Sequence, residues 1–250
     1  MAIVWKKSLK GTRYEIRKAG NTTRLYTDGV FHSQYNPDHP ITRSVWDLLM
    51  LPAFFYNKER IKRVLVLGVG GGSVLQLIHN FIQPEEMIGI ELNPIHTQIA
   101  RRFFGINKKI ATLHTTDAIR WMETYQGAPF DMIIDDLFGE IDGEGVRPIA
   151  LNTKWLGLLN RHITKQGLIV ANTVDTKTLK QCAYFDNQRI RRSFKSVFRL
   201  SIPQLENIVA VFLKQPSSAK QLRQNIAAIE GLNKRNGPNR LNVRISDITT

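Results

Sequence analysis

Four apolar residues, Val64-Leu65-Val66-Leu67, run directly into Gly68-Val69-Gly70-Gly71-Gly72 and then Ser73. No other stretch constrains the fold as strongly. Consecutive apolar residues of this kind read as a strand buried on both faces. The glycines supply a turn that needs positive φ and lets the backbone approach a ligand without Cβ atoms in the way. Ser73 can cap or enter a following helix. Strand, glycine turn and helix in that order open a parallel α/β unit, whose ligands sit beyond the carboxyl ends of the strands. Taken alone, the run is equally what any tight strand-to-helix turn requires.

The pattern downstream repeats the alternation. Helices are expected near Val74 to Phe81, Pro94 to Phe103, Ala118 to Tyr125, Thr153 to Arg161 and Lys177 to Arg192. Strands are expected at Met87 to Glu91, Ile110 to His114, Asp131 to Ile134, Leu168 to Ala171 and Ile208 to Leu213. Such a chain folds as an α/β protein with a Rossmann-like, doubly wound, mostly parallel sheet covered on both sides. Upstream, Tyr14-Glu15-Ile16-Arg17 alternates, Asn21-Thr22-Thr23 turns and Arg24-Leu25-Tyr26 resumes before Asp28-Gly29, the signature of a small antiparallel β subdomain. The expected organisation is residues 1–40 as a β-hairpin subdomain, 41–215 as the nucleoside-binding domain, and 216–250 as a C-terminal helix with a basic tail around Asn233 to Pro238.

The chain has 250 residues and a formal charge of +14, so it attracts polyanions whatever its fold. Its densest basic stretch is Arg189, Arg191, Arg192, Lys195 and Arg199, with Phe194 and Phe198 interleaved. At helical spacing this reads as a solvated face with two core aromatics, against the alternative of a nucleic-acid surface, since no aromatic stacking platform accompanies it. Cys182 is the only cysteine, which excludes an internal disulfide. The six histidines are scattered without ligand spacing, so no metal is expected. Apolar stretches end well short of a membrane span, and no apolar segment follows Lys6-Lys7, so a cytoplasmic protein is expected.

Four elements define a candidate site. The first is the turn, with Gly68, Gly70 and Gly72 against the ligand. The second is Glu91, at the end of the next strand about twenty residues on, where a carboxylate can accept from both ribose hydroxyls of a nucleoside. The third is Asp117-Ala118, placed either to meet an adenine amino group or to cap the helix that follows. The fourth is Asp135-Asp136 at the end of the strand beside the first. Successive strand residues face opposite ways, so one of these carboxylates faces the ligand, and Asp136 is the one assigned to bind or deprotonate a nucleophile. Glu140, Asp142 and Glu144 follow in an acidic loop that can orient a cationic substrate or simply face solvent.

Together these residues resemble the spermidine/spermine synthase family, the aminopropyltransferase branch of the class I methyltransferase superfamily, from about Tyr14 to Phe212. Leu67 to Leu75 looks like that family's glycine-rich segment, Arg24 to Val30 like the end of its N-terminal hairpins, and Gly89 to Pro94, Asp117-Ala118 and Phe130 to Asp136 follow in order. The resemblance implies that Glu91 and Asp117 hold the ribose and adenine, with Asp135 beside them, and that Asp136 accepts a proton from an attacking amine. It also implies that His32 lies at the hairpin end covering the cleft, that S-adenosylmethionine or decarboxylated S-adenosylmethionine is the cofactor, and that the chain forms a homodimer.

The sequence departs from the family in three places. The family's aspartate within the glycine turn is replaced by Gly71, its polyamine-binding aspartate by Gly139, and its tyrosine-containing segment by Ile41-Thr42-Arg43, where Arg43 puts positive charge against a cationic substrate. Glu140, beside Gly139, can compensate in part. The leading expectation is therefore a methyltransferase acting on an unidentified small-molecule acceptor. Polyamine aminopropyl transfer is the alternative, and a non-catalytic nucleoside- or RNA-binding protein the third reading. An NAD-dependent oxidoreductase ranks last, because the aspartates and the hairpins follow the other family.

Overall fold

The computed structural model describes residues 1–141, 144–232 and 242–250, with the side chains of 140–145 outside the description. Asp142 and the basic loop from Asn233 to Pro238 therefore lie outside the described residues, as do the side chains of Glu140 and Glu144.

The N-terminal segment is a meander of four antiparallel strands, β1 (Ala2–Leu9), β2 (Thr12–Ala19), β3 (Thr22–Thr27) and β4 (Val30–Tyr35). Period-two alternation fixes its inward face: Thr23, Leu25 and Thr27 of β3 are buried. Asp28 and Gly29, both at positive φ, make the tight turn from β3 to β4. The Asp28 carboxylate accepts from the Arg13 amide at 2.7 Å and so ties that turn to β2.

The larger layer alternates strands and helices: α1 (Val45–Met50), β5 (Arg63–Leu67), α2 (Ser73–Phe81), β6 (Glu86–Glu91), α3 (Pro94–Phe103), β7 (Thr112–Thr115), α4 (Ala118–Thr124) and β8 (Phe130–Asp135). A two-stranded hairpin, β9 (Gly139–Ile141) and β10 (Glu144–Val146), precedes α5 (Thr153–Arg161) and β11 (Ile163–Thr173). Then come α6 (Thr176–Lys180), α7 (Ala183–Asp186), α8 (Gln188–Arg191), β12 (Ser196–Ser201), β13 (Ile208–Leu213), α9 (Ala219–Ala227) and β14 (Arg244–Asp247).

Eight strands form one sheet in the order β14-β12-β13-β11-β8-β5-β6-β7. From β11 to β7 every pairing is parallel, and from β11 to β14 every pairing is antiparallel. β5 lies at the centre of the parallel part. Its Val64 and Val66 enter the core on one face, Leu65 and Leu67 that on the other, as a strand covered on both sides requires.

Two expectations fail locally. The single helix expected from Lys177 to Arg192 is three short ones: Asp175 caps the first through the Thr178 amide at 2.7 Å, the second starts after Cys182 without a side-chain cap, and Asn187 starts the third by capping the amides of Arg189 and Ile190. The basic stretch is not one helical face either, since Arg199 lies in β12. Phe194 and Phe198 are core residues as expected. Arg191 bends back to donate to the Tyr184 and Phe185 carbonyls at the end of α7.

Candidate functional site

The carboxyl ends of β5, β6, β8 and β11 open into a cleft of about 760 Å³, closed on one side by the N-terminal sheet. Its floor is the glycine turn. Gly68 has φ +84°, and a Cβ there would overlap the Asp136 carbonyl, so β5 and β8 can splay around the turn only with glycine at this position. β4 packs directly on the same turn: Ser33 Oγ accepts from the Gly71 amide at 2.7 Å, and Ser73 Oγ exchanges hydrogen bonds with the Gln34 amide and carbonyl, both at 2.8 Å.

Glu91, the last residue of β6, is 7% exposed and turns inward, onto the loop. Oε2 accepts from the Val69 and Gly70 amides at 3.0 and 2.8 Å, and Oε1 from Asn93 at 2.8 Å. Burial alone pushes this carboxyl up, but His96, with Nδ1 3.7 Å from Oε1, and the backbone donors outweigh it and hold Glu91 below its ordinary range. A carboxylate has about four acceptor sites. Three are filled by amides and His96 stands beside Oε1, so at most one is open to the cleft, not the two that sequence position alone implied. The remaining amides of the turn are also bonded, Gly68 to Ile90 O and Gly72 to Val69 O.

The two aspartates of β8 separate by face. Asp135 is fully buried beneath the sheet, where Oδ2 accepts from Arg147 Nη2 at 2.6 Å and Trp155 Nε1 at 2.8 Å. It is outside the cleft wall, so its expected cofactor role gives way to a structural one. Asp136 faces the cleft, and Oδ1 accepts from Asn172 Nδ2 at 2.8 Å. Desolvation first, then the neighbouring Asp135, pushes its pKa up to about 7 against the lowering effect of Asn172 and Arg147. A carboxyl poised near neutrality suits proton transfer.

Asp117 lines the cleft, and its Oδ1 caps α4 through the Arg120 amide at 2.7 Å. Ala118, Gly68 and Gly70 line the wall. Gly72 does not: it is the N-cap of α2, and a Cβ there would meet Ile106 at 2.7 Å, so it serves helix packing. The side chain of Glu140 is outside the description. Arg43 is not among the described residues of the wall.

His32 lines the cleft, and its Nε2 is buried without a hydrogen-bond partner among the described residues. Burial, and next the neighbouring His96, lower its pKa to about 4, so the ring is neutral. His96 itself bonds Thr27 Oγ1 at 2.9 Å. Sequence reasoning passed over His96, Ser33, Asn172 and Asn207. Only Asn172 carried a signal, as a polar residue ending the apolar run Leu168 to Ala171 at the ligand end of a strand.

The residues fit an adenosyl sulfonium. The cleft has the volume of a small-ligand site, a floor with no Cβ at Gly68 and Gly70, and an orphaned imidazole nitrogen in its wall. Among the described residues no group of side chains could hold a metal, and no helix is long and apolar enough to cross a membrane.

No family model matches the chain. It is 28% identical over 159 residues to a polyamine aminopropyltransferase of Vibrio vulnificus (strain CMCP6), covering 62% of this chain and 51% of that protein. It is 29% identical over 167 residues to polyamine aminopropyltransferase 2 of Caldanaerobacter subterraneus subsp. tengcongensis, covering 65% and 54%. A third relative is the eEF1A lysine and N-terminal methyltransferase of Danio rerio, 25% identical over 153 residues and covering 58% and 22%. The chain thus spans about half the length of the first two. Among solved structures, a probable spermidine synthase from Corynebacterium glutamicum ATCC 13032 superposes with a TM-score of 0.73 at 16% identity, over 99% of this chain and 91% of that one. Human methyltransferase-like protein 13, in complex with SAH, superposes with a TM-score of 0.62 at 19% identity, over 77% and 93%.

The fold is therefore of the class I methyltransferase type. Within that class the chain resembles the spermidine synthases, as its ordered motifs implied, and the superposition on the Corynebacterium glutamicum protein covers 99% of the chain, the N-terminal antiparallel sheet included.

Proposed function

We propose that this chain is a transferase that uses decarboxylated S-adenosylmethionine to aminopropylate an amine entering the cleft as a cation. One observation carries the proposal: in a chain of formal charge +14, the cleft wall holds, among the described residues, five carboxylates, Asp28, Glu91, Asp117, Asp136 and Glu206, and no lysine or arginine. Carboxylates gathered around ammonium groups offset the cost of desolvating them. A donor that kept its amino-acid carboxylate would find no cation among the described residues of the wall, and the turn amides are already bonded within the protein.

When bound, the donor supplies a carbon activated by the adjacent sulfonium. The chain aligns the amine for in-line attack and takes its proton on Asp136. Neutral His32 lines the wall without adding positive charge beside a cationic ligand.

Methyl transfer from S-adenosylmethionine is the second reading, favoured by Gly71. A Cβ at that position would lie 2.8 Å from the Phe104 ring and from Ser33 Cβ, so the aspartate the related family carries in this turn has no room. Calorimetry with both donors, followed by product analysis with diamines, separates the readings. Preferred binding of the decarboxylated donor with amine-dependent release of methylthioadenosine supports aminopropyl transfer. Preferred binding of S-adenosylmethionine with release of S-adenosylhomocysteine would replace it with methyl transfer.

A further inference from the structure

Among the described residues the Asp136 side chain makes a single hydrogen bond, to Asn172, whose own side chain accepts from a second asparagine. Asn172 is 3% exposed and sits near the end of β11, the strand paired in parallel with β8, one step beyond the Ala171 to Asp135 register. An asparagine amide can present either its oxygen or its NH2 group, and the choice is fixed only by what the other end bonds. Here Asn207 Nδ2 donates to Asn172 Oδ1 at 3.2 Å, which leaves Asn172 Nδ2 to donate to Asp136 Oδ1 at 2.8 Å. Asn207 lies in the loop between β12 and β13, immediately before the first residue of β13.

The mount is held from the backbone as well. Arg147, 4% exposed at its side chain, donates through Nη1 to the Asn172 carbonyl at 2.5 Å and through Nη2 to Asp135 Oδ2 at 2.6 Å, clamping the ends of β11 and β8 together. Thr173 Oγ1 donates to the Ile208 carbonyl at 2.7 Å, pinning the start of β13 beside the same site.

Resting on the reading of Asp136 as proton acceptor, we infer that Asn207 and Asn172 form a two-amide relay of positioning residues. The relay fills one oxygen of the Asp136 carboxylate and directs the other at the substrate. Both amides are uncharged, so the relay adds no titration of its own. The ionisable groups acting on Asp136 are Asp135 and Glu91, which disfavour its charge, and Arg147, which favours it. The relay sides with Arg147, because a hydrogen bond donated to a carboxylate stabilises the charged form.

The test is a carboxyl-carbon NMR titration of Asp136 in the full chain, assigned with Asp136→Asn, for wild type, Asn207→Leu and Gln204→Leu. Gln204 lies in the same loop and its side chain makes no hydrogen bond among the described residues, so Gln204→Leu controls for loop disturbance. The relay predicts an upward shift of the Asp136 midpoint by about one unit in Asn207→Leu, and none in Gln204→Leu. Asn172→Leu, melted in parallel to confirm folding, shifts it at least as far. In turnover assays, kcat in Asn207→Leu recovers as pH rises above the shifted midpoint. An unchanged midpoint in Asn207→Leu, or equal shifts in Asn207→Leu and Gln204→Leu, would overturn the inference. Failure of the functional reading is separate: it shows as no donor binding by wild-type protein in calorimetry, whatever the NMR midpoint does.

Discussion

Replacing Asp136 by asparagine should stabilise the protein above neutral pH while removing its activity. A carboxyl whose pKa is raised on folding contributes stability that is fully present below the unfolded pKa and is lost as pH rises through the folded one. The unfolded value is 3.8 and the folded value about 7. That interval is roughly three units, an upper bound of about 4 kcal/mol at 1.36 kcal/mol per unit. Asp136 opens on the cleft, so solvent screening reduces this to about 1 to 2 kcal/mol. The asparagine side chain would keep an oxygen to accept from Asn172 Nδ2 and would carry no charge to desolvate. In a chain of this length each kcal/mol moves the Tm by about 2 to 4 °C, so the variant should melt about 2 to 8 °C above wild type at pH 8.5. The gap should close as pH falls toward 4. Circular dichroism melts across that range read it directly, and turnover should fall about 100- to 10,000-fold in the same variant, the worth of a general base. A gap that is constant with pH, or that widens in acid, would refute the elevated carboxyl and with it the assignment of Asp136.

Gly71→Asp, which restores the residue found in the related family, should destabilise by about 1 to 3 kcal/mol through overpacking against Phe104 and Ser33, with no gain in aminopropyl transfer. Trimming the obstruction with Phe104→Leu should make Gly71→Asp less costly, which a double-mutant cycle of melts measures. Glu91→Gln turns an amide NH2 toward one of three backbone N–H donors, at about 1 to 3 kcal/mol, and should abolish donor binding in calorimetry. His32, neutral in the fold with its pKa lowered from 6.5 to about 4, contributes stability present above pH 6.5 and lost as pH falls through 4. His32→Gln should therefore flatten the stability curve across that interval.

The parallel half of the sheet was legible because each of its signals is local. Val64 to Leu67 had to be doubly buried, Gly68 had to turn, and Pro94 and Asp117 had to start helices, whatever the rest of the chain did. The antiparallel edge was less so. β12 carries Arg199 between apolar residues and was masked by helix-like spacing of basic residues, while the cap at Asn187 that interrupts the helix before it is a single side chain inside a helical pattern. In the site, Glu91 and Asp136 were found from strand ends, but what satisfies them was not. Asn172 and Asn207 reach the cleft from distant parts of the chain and Ser33 meets the glycine turn from another sheet, and no periodicity announces such contacts.

The charge distribution separates the catalytic reading from the nucleic-acid one by the sign of its salt dependence. At long range a cationic amine meets a protein of formal charge +14 and is repelled; within the cleft it meets five carboxylates and is held. Added salt screens the two unequally. The Debye length shrinks from about 30 Å at 0.01 M to about 8 Å at 0.15 M, which removes the long-range repulsion first and leaves contacts inside the partly closed cleft less affected. For a diamine acceptor, kcat/KM should therefore rise from about 0.01 M to about 0.15 M salt and fall only at higher salt, when the cleft contacts are screened in turn. A polyanion held on the basic surface behaves the opposite way, because each phosphate contact releases counterions and weakens continuously as salt increases. Steady-state rates and RNA binding measured over the same salt series distinguish the two. Diamine turnover that falls monotonically from the lowest salt would show that the approach to the cleft is governed by its acidic wall alone. The basic exterior would then have no part in how the acceptor arrives.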